Sequence, residues 1–115
     1  MNKSGHGILK IYASTTDKIG QKLLYEHIVV LARDKGISGV TVYRGIMGYG
    51  LSSQISAPRF WELTEKLPIM IEIIDNNDVI NEFYKLIEPD LLNMPKGCLV
   101  IVEPVTLRLH KPGKH

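Results

Sequence analysis

The stretch that decides the fold reads VTVYRGIMGYGLSSQISAPRFWELTEKLP and spans residues 40 to 68. It begins with β-branched and aromatic residues, which favour a strand. Three closely spaced glycines follow: Gly45, Gly48 and Gly50. Further along, Pro58 favours a short helix through Glu65 before the next strand begins. The stretch therefore predicts a long connection between two strands, and its glycines suit a phosphate-cradling turn, a flexible lid or an irregular loop.

Patterns of strands and helices alternate outward from this connection. Four segments have strand patterns: residues 8–14, 39–46, 69–74 and 98–103. Two segments have apolar residues at helical spacing: residues 18–35 and 79–87. The order β-α-β-β-α-β predicts an α+β, ferredoxin-like fold with an antiparallel sheet. Right-handed crossovers place both helices on one face of that sheet.

Polar residues and prolines predict where these elements begin and end. Residues 15–17 (TTD) supply capping side chains for the first helix, and Gly36 is a C-terminal stop. Asp75 and Asp78 resemble a capping box for the second helix, and Pro89 disfavours its continuation. Pro104 interrupts the last strand. An extended piece with alternating Val105, Leu107 and Leu109 follows, and residues 111–115 form a frayed tail.

The strands are apolar on both sides, although two helices can cover only one face of a sheet. In the third strand, for example, Ile71 and Ile73 alternate with Met70 and Ile74. A strand that is hydrophobic on both sides is normally buried on both sides. We therefore expect the uncovered face to meet other copies of the chain in a homo-oligomer.

Composition narrows the class of protein. The 115 residues, 44% hydrophobic and 23% charged, predict one folded domain over residues 1–115. A net charge of +2 without a basic run predicts no nucleic-acid partner. No apolar run approaches the length of a membrane span, so no direct membrane insertion is expected. The single cysteine, Cys98, lies in an apolar run, which predicts a buried, inert thiol and a cytoplasmic location.

No motif in the chain predicts catalysis or a metal centre. The glycines do not spell GxGxxG, and GxxxxGK[ST] is absent. His27 has no second ligand at i+4, and Glu72 has no obvious basic partner. The loop serines Ser52 and Ser53 have no histidine nearby in the sequence. The sequence therefore favours a protein that is not an enzyme.

Three short features are suited to an anion. The segment Gly48-Tyr49-Gly50 allows close approach of backbone N–H groups, because glycine has no side chain and permits positive φ. Lys96-Gly97 combines a cation with a flexible backbone. Arg108 and His110 are two residues apart and project from one face of an extended segment. Together they predict a phosphorylated ligand if the fold brings them together; otherwise they are ordinary turns and solvated cations.

The ordered set of motifs resembles the PII signalling superfamily, and in particular its PII-like branch of small proteins of unassigned function. The matching segments are GVTVYRGIMGYG, LP before IMIEIID, and KGCLVIVEPVTLRLH. The resemblance implies a homotrimer that binds an adenine nucleotide, ATP or ADP, in clefts between subunits. It implies no obligatory cofactor, although Mg²⁺ can bind together with the nucleotide. It also implies a mobile loop at residues 48–66 and an unknown protein partner, for which a membrane transporter is one candidate.

By position, the resemblance implies a set of ligand-binding residues. These are Gly39, Val40, Thr41, Gly48, Tyr49, Gly50, Leu63, Thr64, Lys96, Gly97, Arg108 and His110. Two departures limit the carry-over. His110 stands where the nitrogen-regulatory members have arginine, and the loop lacks the tyrosine that some of them modify. The modification, the 2-oxoglutarate response and the usual partners are therefore not carried over.

Two other functions fit the same element order. A trimeric protein that responds to metals or small anions would use the same scaffold. An RNA-recognition module also has the β-α-β-β-α-β order, but the third strand, IMIEII, lacks the aromatic residues that stack on bases. In the loop, Phe60 and Trp61 could anchor a partner or pack a short helix against the body.

Overall fold

The computed structural model describes residues 5–50 and 66–114. In chain order, its elements are β1 (His6–Ser14), β2 (Lys18–Ile19), β3 (Lys22–Leu23), α1 (Leu24–Asp34), β4 (Gly39–Arg44), β5 (Pro68–Asn76), α2 (Asn77–Asn93) and β6 (Leu99–Val105). Four strands form one antiparallel sheet in the spatial order β4-β5-β1-β6. The predicted α+β, ferredoxin-like arrangement is confirmed.

The core lies between the two helices and one face of the sheet. Burial along β5 alternates strictly, so that Ile69, Ile71 and Ile73 are buried. The helices contribute a matching apolar stripe: Leu24, Ile28, Ala32, Ile80, Phe83, Ile87 and Leu91. Because side chains alternate across a strand, the intervening residues of β5 lie on the other face, over which residues 5–50 and 66–114 place no helix. That face is called the open face below.

The first helix is shorter than the predicted segment of residues 18–35. Lys18–Ile19 and Lys22–Leu23 pair as a small antiparallel hairpin, and Gly20 adopts φ = 61° at its turn. The predicted cap is wrong as well, because the Asp17 carboxylate accepts a hydrogen bond from the backbone N–H of Ser14 (2.9 Å). Apolar residues of the hairpin happen to continue the helical spacing, so periodicity alone could not exclude a longer helix. The predicted stop is confirmed, with Gly36 at φ = 76°.

The second helix is capped one residue later than predicted and is longer. The side chain of Asn76 accepts the bond from the backbone N–H of Val79 (2.9 Å), so Asn76, rather than Asp75, is the N-cap. Pro89 lies inside the helix, although it cannot donate a backbone hydrogen bond. The helical turn after Pro89 is stabilised by apolar packing, since Leu91 is only 6% exposed and belongs to the core.

The last strand passes through Pro104 instead of stopping before it. Pro104 pairs in register with Gly7 of β1, and the strand ends at Val105. A proline is tolerated there because β6 is an edge strand, so one side of its backbone needs no partner in the sheet. Residues 106–114 have no regular secondary structure, whereas the sequence predicted an extended strand-like piece as far as Leu109.

A buried carboxylate connects the beginning of β4 to the end of β5. Asp75, 8% exposed, accepts hydrogen bonds at Oδ2 from the backbone N–H (2.9 Å) and the hydroxyl (3.1 Å) of Ser38. Its Oδ1 accepts from the backbone N–H of Asn76 (2.7 Å). These bonds hold Ser38 against the end of the central strand β5. Gly39, the first candidate ligand-binding residue, follows Ser38 directly.

Replacing Asp75 with alanine is expected to lower the free energy of unfolding by about 1–3 kcal/mol, because the partly buried backbone donors of Ser38 and Asn76 lose their acceptor. Urea denaturation monitored by circular dichroism measures this change. The matched control is Ser38→Ala, which removes only the hydroxyl donor and is expected to cost about 1 kcal/mol or less. Equal losses for the two variants would contradict the role given to the carboxylate.

Candidate functional site

The open face of the sheet is largely apolar. One row across it consists of Tyr43, Met70, Tyr12 and Leu99, which are aligned by the strand registers. Tyr12 is 38% exposed and Leu99 is 55% exposed. A second row, nearer the beginning of β1, pairs Ile8 with Ile74. The structure thus confirms that apolar side chains occupy both faces of the sheet.

Between these two apolar rows lies a polar row of Thr41, Glu72 and Lys10, which are aligned by the strand registers. The Lys10 ammonium lies 2.7 Å from Glu103 Oε1, and the Tyr43 hydroxyl donates to Glu72 Oε1 (3.2 Å). The hydrogen bond to Glu103 raises the pKa of Lys10, and the negative charge of Glu72 raises the pKa of Tyr43. The expectation that Glu72 lacks a basic partner is wrong, because Lys10 lies directly opposite it in register. Only the pairing of β1 with β5 reveals this neighbour.

The first group of candidate ligand residues begins β4. Nothing lies within 4 Å of the position that a Cβ would take at Gly39, so a ligand can approach its backbone. Val40 is partly buried and packs against the core, which leaves its backbone groups as the available contacts. Thr41 is exposed opposite Glu72 on the open face.

The second group follows the end of β4. Tyr49 is 70% exposed, and the space around Gly50 is open. Gly48 lies against Pro68, where an added Cβ would be 3.4 Å from the proline ring. Neither Gly48 nor Gly50 has positive φ; among the described residues, the positive-φ glycines are Gly20 and Gly36. Open space, rather than left-handed backbone, therefore makes this segment accessible.

The third and fourth groups flank β6. Lys96 and Gly97 are exposed in the connection between α2 and β6. Arg108 and His110 are exposed beyond the end of β6. Leu63 and Thr64, the predicted adenine-lining residues, lie outside the described residues, as do Phe60, Trp61 and the predicted short helix between residues 58 and 65.

Within one chain, these groups lie on opposite edges of the sheet. β4 and β6 are the two edge strands, separated by three strand spacings, or about 14 Å. The registers place Gly48–Gly50 and Lys96–Gly97 at one end of the sheet, and Gly39 and Arg108 at the other end. A single chain therefore does not gather the described candidate residues into one site.

The remaining reactive side chains have structural surroundings. Cys98 is partly buried rather than fully buried, and burial raises the pKa of its thiol, with a further increase from the negative charge of Asp17. His27 links the helices, with Nε2 3.4 Å from Asp90 Oδ2, but that nitrogen has no hydrogen bond within the described residues.

In residues 5–50 and 66–114, no three His, Cys, Asp or Glu side chains are grouped as metal ligands. In the same ranges, no helix is both long enough and apolar enough to cross a membrane.

Comparison with known proteins identifies the class first. Solved structures with this fold include CPII, a nitrogen regulatory PII-like protein from Thiomonas intermedia K12 bound to ADP, AMP and bicarbonate. It has a TM-score of 0.57 and 16% identity, over 89% of each chain. The divalent ion tolerance protein CutA1 from Ehrlichia chaffeensis also has a TM-score of 0.57, with 14% identity over 94% of this chain and 88% of that one. At these identities the likeness defines the fold, which is that of PII-like and CutA1 proteins.

The family follows from sequence. The chain belongs to the DUF190 family, described as "Uncharacterized ACR", whose model matches residues 6–107. The UPF0166 protein MJ1524 of Methanocaldococcus jannaschii is 37% identical over 97 residues, which cover 81% of this chain and 89% of that protein. A UPF0166 protein of Aquifex aeolicus is 32% identical over 81 residues, which cover 70% of this chain and 77% of that protein.

Proposed function

We propose that this chain is a PII-like regulatory protein that binds an adenine nucleotide, ATP or ADP, in clefts between the subunits of a cytoplasmic homotrimer. Nucleotide binding would alter its contact with a partner protein through residues 48–66. The observation that carries the proposal is the division of the candidate residues between the two sheet edges. The fold shared with a PII-like protein bound to ADP and AMP supports this choice of ligand class.

Joining sheet edges between copies would complete the site. β4 and β6 run antiparallel to each other, so β4 of one copy can face β6 of the next with the same ends of both sheets together. Gly48–Gly50 of one copy would then approach Lys96–Gly97 of its neighbour. Such a head-to-tail contact closes into a ring when the rotation between copies allows it. The apolar open faces would be buried inside that ring.

In this arrangement each group has a defined task. Lys96 neutralises phosphate charge at the end of the cleft that holds Gly48–Gly50. Arg108 approaches the other end of the cleft, near Gly39 of the neighbouring copy, where its guanidinium can grip two oxygens of the ligand at once. The backbone N–H groups near Gly48 and Gly50 donate hydrogen bonds to phosphate oxygens. His110, two residues beyond Arg108, adds a ring nitrogen that can hydrogen-bond to the ligand.

Calorimetric titration with ATP, ADP and AMP, each with and without Mg²⁺, tests the proposal. Saturable binding is expected, and Lys96→Ala should weaken it by about 10–100-fold, because a charge-assisted hydrogen bond contributes about 1.5–3 kcal/mol. The matched control is Lys85→Ala, which removes an exposed lysine of α2 and should leave the affinity unchanged. Absence of binding by all three nucleotides at millimolar concentration would refute the proposal.

The same fold supports a second candidate function, a trimeric protein that responds to metals or small anions. Its specific support is the equal TM-score of the divalent ion tolerance protein CutA1. Thermal denaturation with divalent cations or bicarbonate distinguishes the two functions. Stabilisation by these ions, without any nucleotide binding, would favour the second function.

A further inference from the structure

A groove of about 420 Å³ lies on the helix side of the sheet, between the end of α1 and the first half of α2. Its apolar part is formed by Ile37, Val79, Phe83 and Leu86. Phe83 belongs to the core and is 3% exposed, whereas Leu86 is 45% exposed. The groove therefore has a fixed floor and one large apolar side chain that is still accessible to a ligand.

The rim of the groove is charged, with Lys35 on one side and Asp78 and Glu82 on α2. Glu82 is also 3.9 Å from Lys85, but both side chains are more than 70% exposed, so this ion pair is weak. The rim has one more acidic than basic residue. An accessible apolar side chain beside two carboxylates is suited to a ligand that is both apolar and cationic.

The charge of the whole helix layer has the same sign as the rim. The two helices contain six Asp and Glu against two Lys and Arg, a formal net charge of −4. The complete chain has a net charge of +2, so all residues outside the helices together carry +6. A negative surface repels nucleic acids and anionic membranes, and it attracts cationic partners.

We propose that this groove binds a basic amphipathic helix of a partner protein. Apolar residues at helical spacing would pack on Phe83 and Leu86, as in other helix-in-groove complexes. Lysine or arginine residues beside them would face Asp78 and Glu82. The groove lies on the side of the sheet opposite the open face, so the inference does not depend on nucleotide binding, and the groove stays accessible in the proposed ring.

Two labelled 14-residue peptides test the inference by fluorescence anisotropy. The first has leucine at positions i, i+3, i+4 and i+7 with lysine between them, and the second has glutamate in place of lysine. The lysine peptide is expected to bind the full chain, and the glutamate peptide is expected not to bind. Equal binding of the two peptides, or no binding of the lysine peptide at about 1 mM, overturns the proposal.

Variants of the groove separate its apolar and charged contributions. Leu86→Asn should weaken binding of the lysine peptide by about ten-fold, as expected for a central apolar contact. Its matched control is Leu92→Asn, because Leu92 is 77% exposed on the same helix but does not line the groove. Equal losses for these two variants overturn the proposal.

Charge variants should act with opposite signs at the rim. Glu82→Lys should weaken binding about five-fold at low salt, and Lys35→Glu should strengthen it by a similar factor. Glu26→Lys changes the charge of the helix layer equally but lies outside the groove, so it should have a much smaller effect. A loss with Glu26→Lys as large as that with Glu82→Lys overturns the proposal, because it indicates non-specific attraction.

Amide chemical shifts locate the peptide directly. The lysine peptide is expected to shift the signals of Val79, Phe83 and Leu86 more than those of the open face. Shifts centred on β4 and β6 overturn the proposal. So do shifts of the groove signals that depend on protein concentration without peptide, since they indicate that a second copy of the chain occupies the groove.

Discussion

Coexpression of Lys96→Ala chains with Gly50→Asp chains is expected to restore nucleotide binding in about a quarter of the clefts, if chains mix randomly in a ring. Each variant alone should bind at least ten-fold more weakly than the wild type, because one loses a cation and the other places a carboxylate near the phosphates. Gly50→Asp should fold, since the space around this residue is open and its φ is not positive. Calorimetry on the unfractionated mixture of oligomers counts the restored sites.

The restoration follows from the edges on which the two residues lie. Lys96 precedes β6 and Gly50 follows β4, so a cleft between neighbours can take an intact copy of each from different chains. Mixing Lys96→Ala with Gly97→Asp provides the matched control, since the space around Gly97 is also open. Both of these residues precede β6 in the same chain, so every cleft would carry one of the two changes and no site should be restored. Equal recovery in the two mixtures would contradict a cleft between subunits.

Replacing Ile71 with alanine is expected to lower the free energy of unfolding by about 2–5 kcal/mol. Ile71 is fully buried on central strand β5 and pairs in register with Ile11 and Val42. The truncation leaves a cavity that these neighbours fill only in part, so lost contacts add to lost hydrophobic burial. Urea denaturation at one protein concentration measures the change.

Ile74→Ala is the matched control on the same strand. Ile74 lies on the open face and is only partly buried within one chain, so its truncation should affect unfolding of a separate subunit less than Ile71→Ala does. If the open faces meet in an oligomer, Ile74→Ala should instead weaken association, which analytical ultracentrifugation measures. A larger loss of subunit stability for Ile74→Ala than for Ile71→Ala would contradict the observed division of the sheet into a core face and an open face.

The elements that could be predicted are those whose signal is local. The alternation along β5 is visible in the sequence because successive side chains of a strand point to opposite faces. The first helix was predicted too long because a two-residue hairpin around Gly20 precedes it. Such short elements lack the length over which periodicity distinguishes a strand from a helix. Pro89 predicted too early an end for the second helix. The sequence does not show that tertiary packing of the following turn compensates for the missing backbone hydrogen bond.

From the sequence, the candidate ligand-binding residues could be predicted only as separate short motifs and not as one site. Glycine-rich turns and basic residues that suit an anion are recognisable individually in the sequence. The resemblance to the PII superfamily identified them as one ordered set of motifs. Neither the chain order nor composition reveals that β4 and β6 form opposite edges of the sheet. The polar row on the open face was also hidden, because the neighbours of Lys10 and Glu72 depend on strand register.

From the sequence alone follow the order of the main strands and helices, the alternation of side chains along each strand and the presence of apolar side chains on both faces of the sheet. These properties depend on residues that are close together in the chain. Strand order, register and the separation of Gly50 from Lys96 required the folded structure, because they depend on contacts between distant segments. The groove beside Phe83 and Leu86 also required the folded structure. It exists because two helices that are far apart in sequence, each with its own acidic side chains, pack side by side on one sheet.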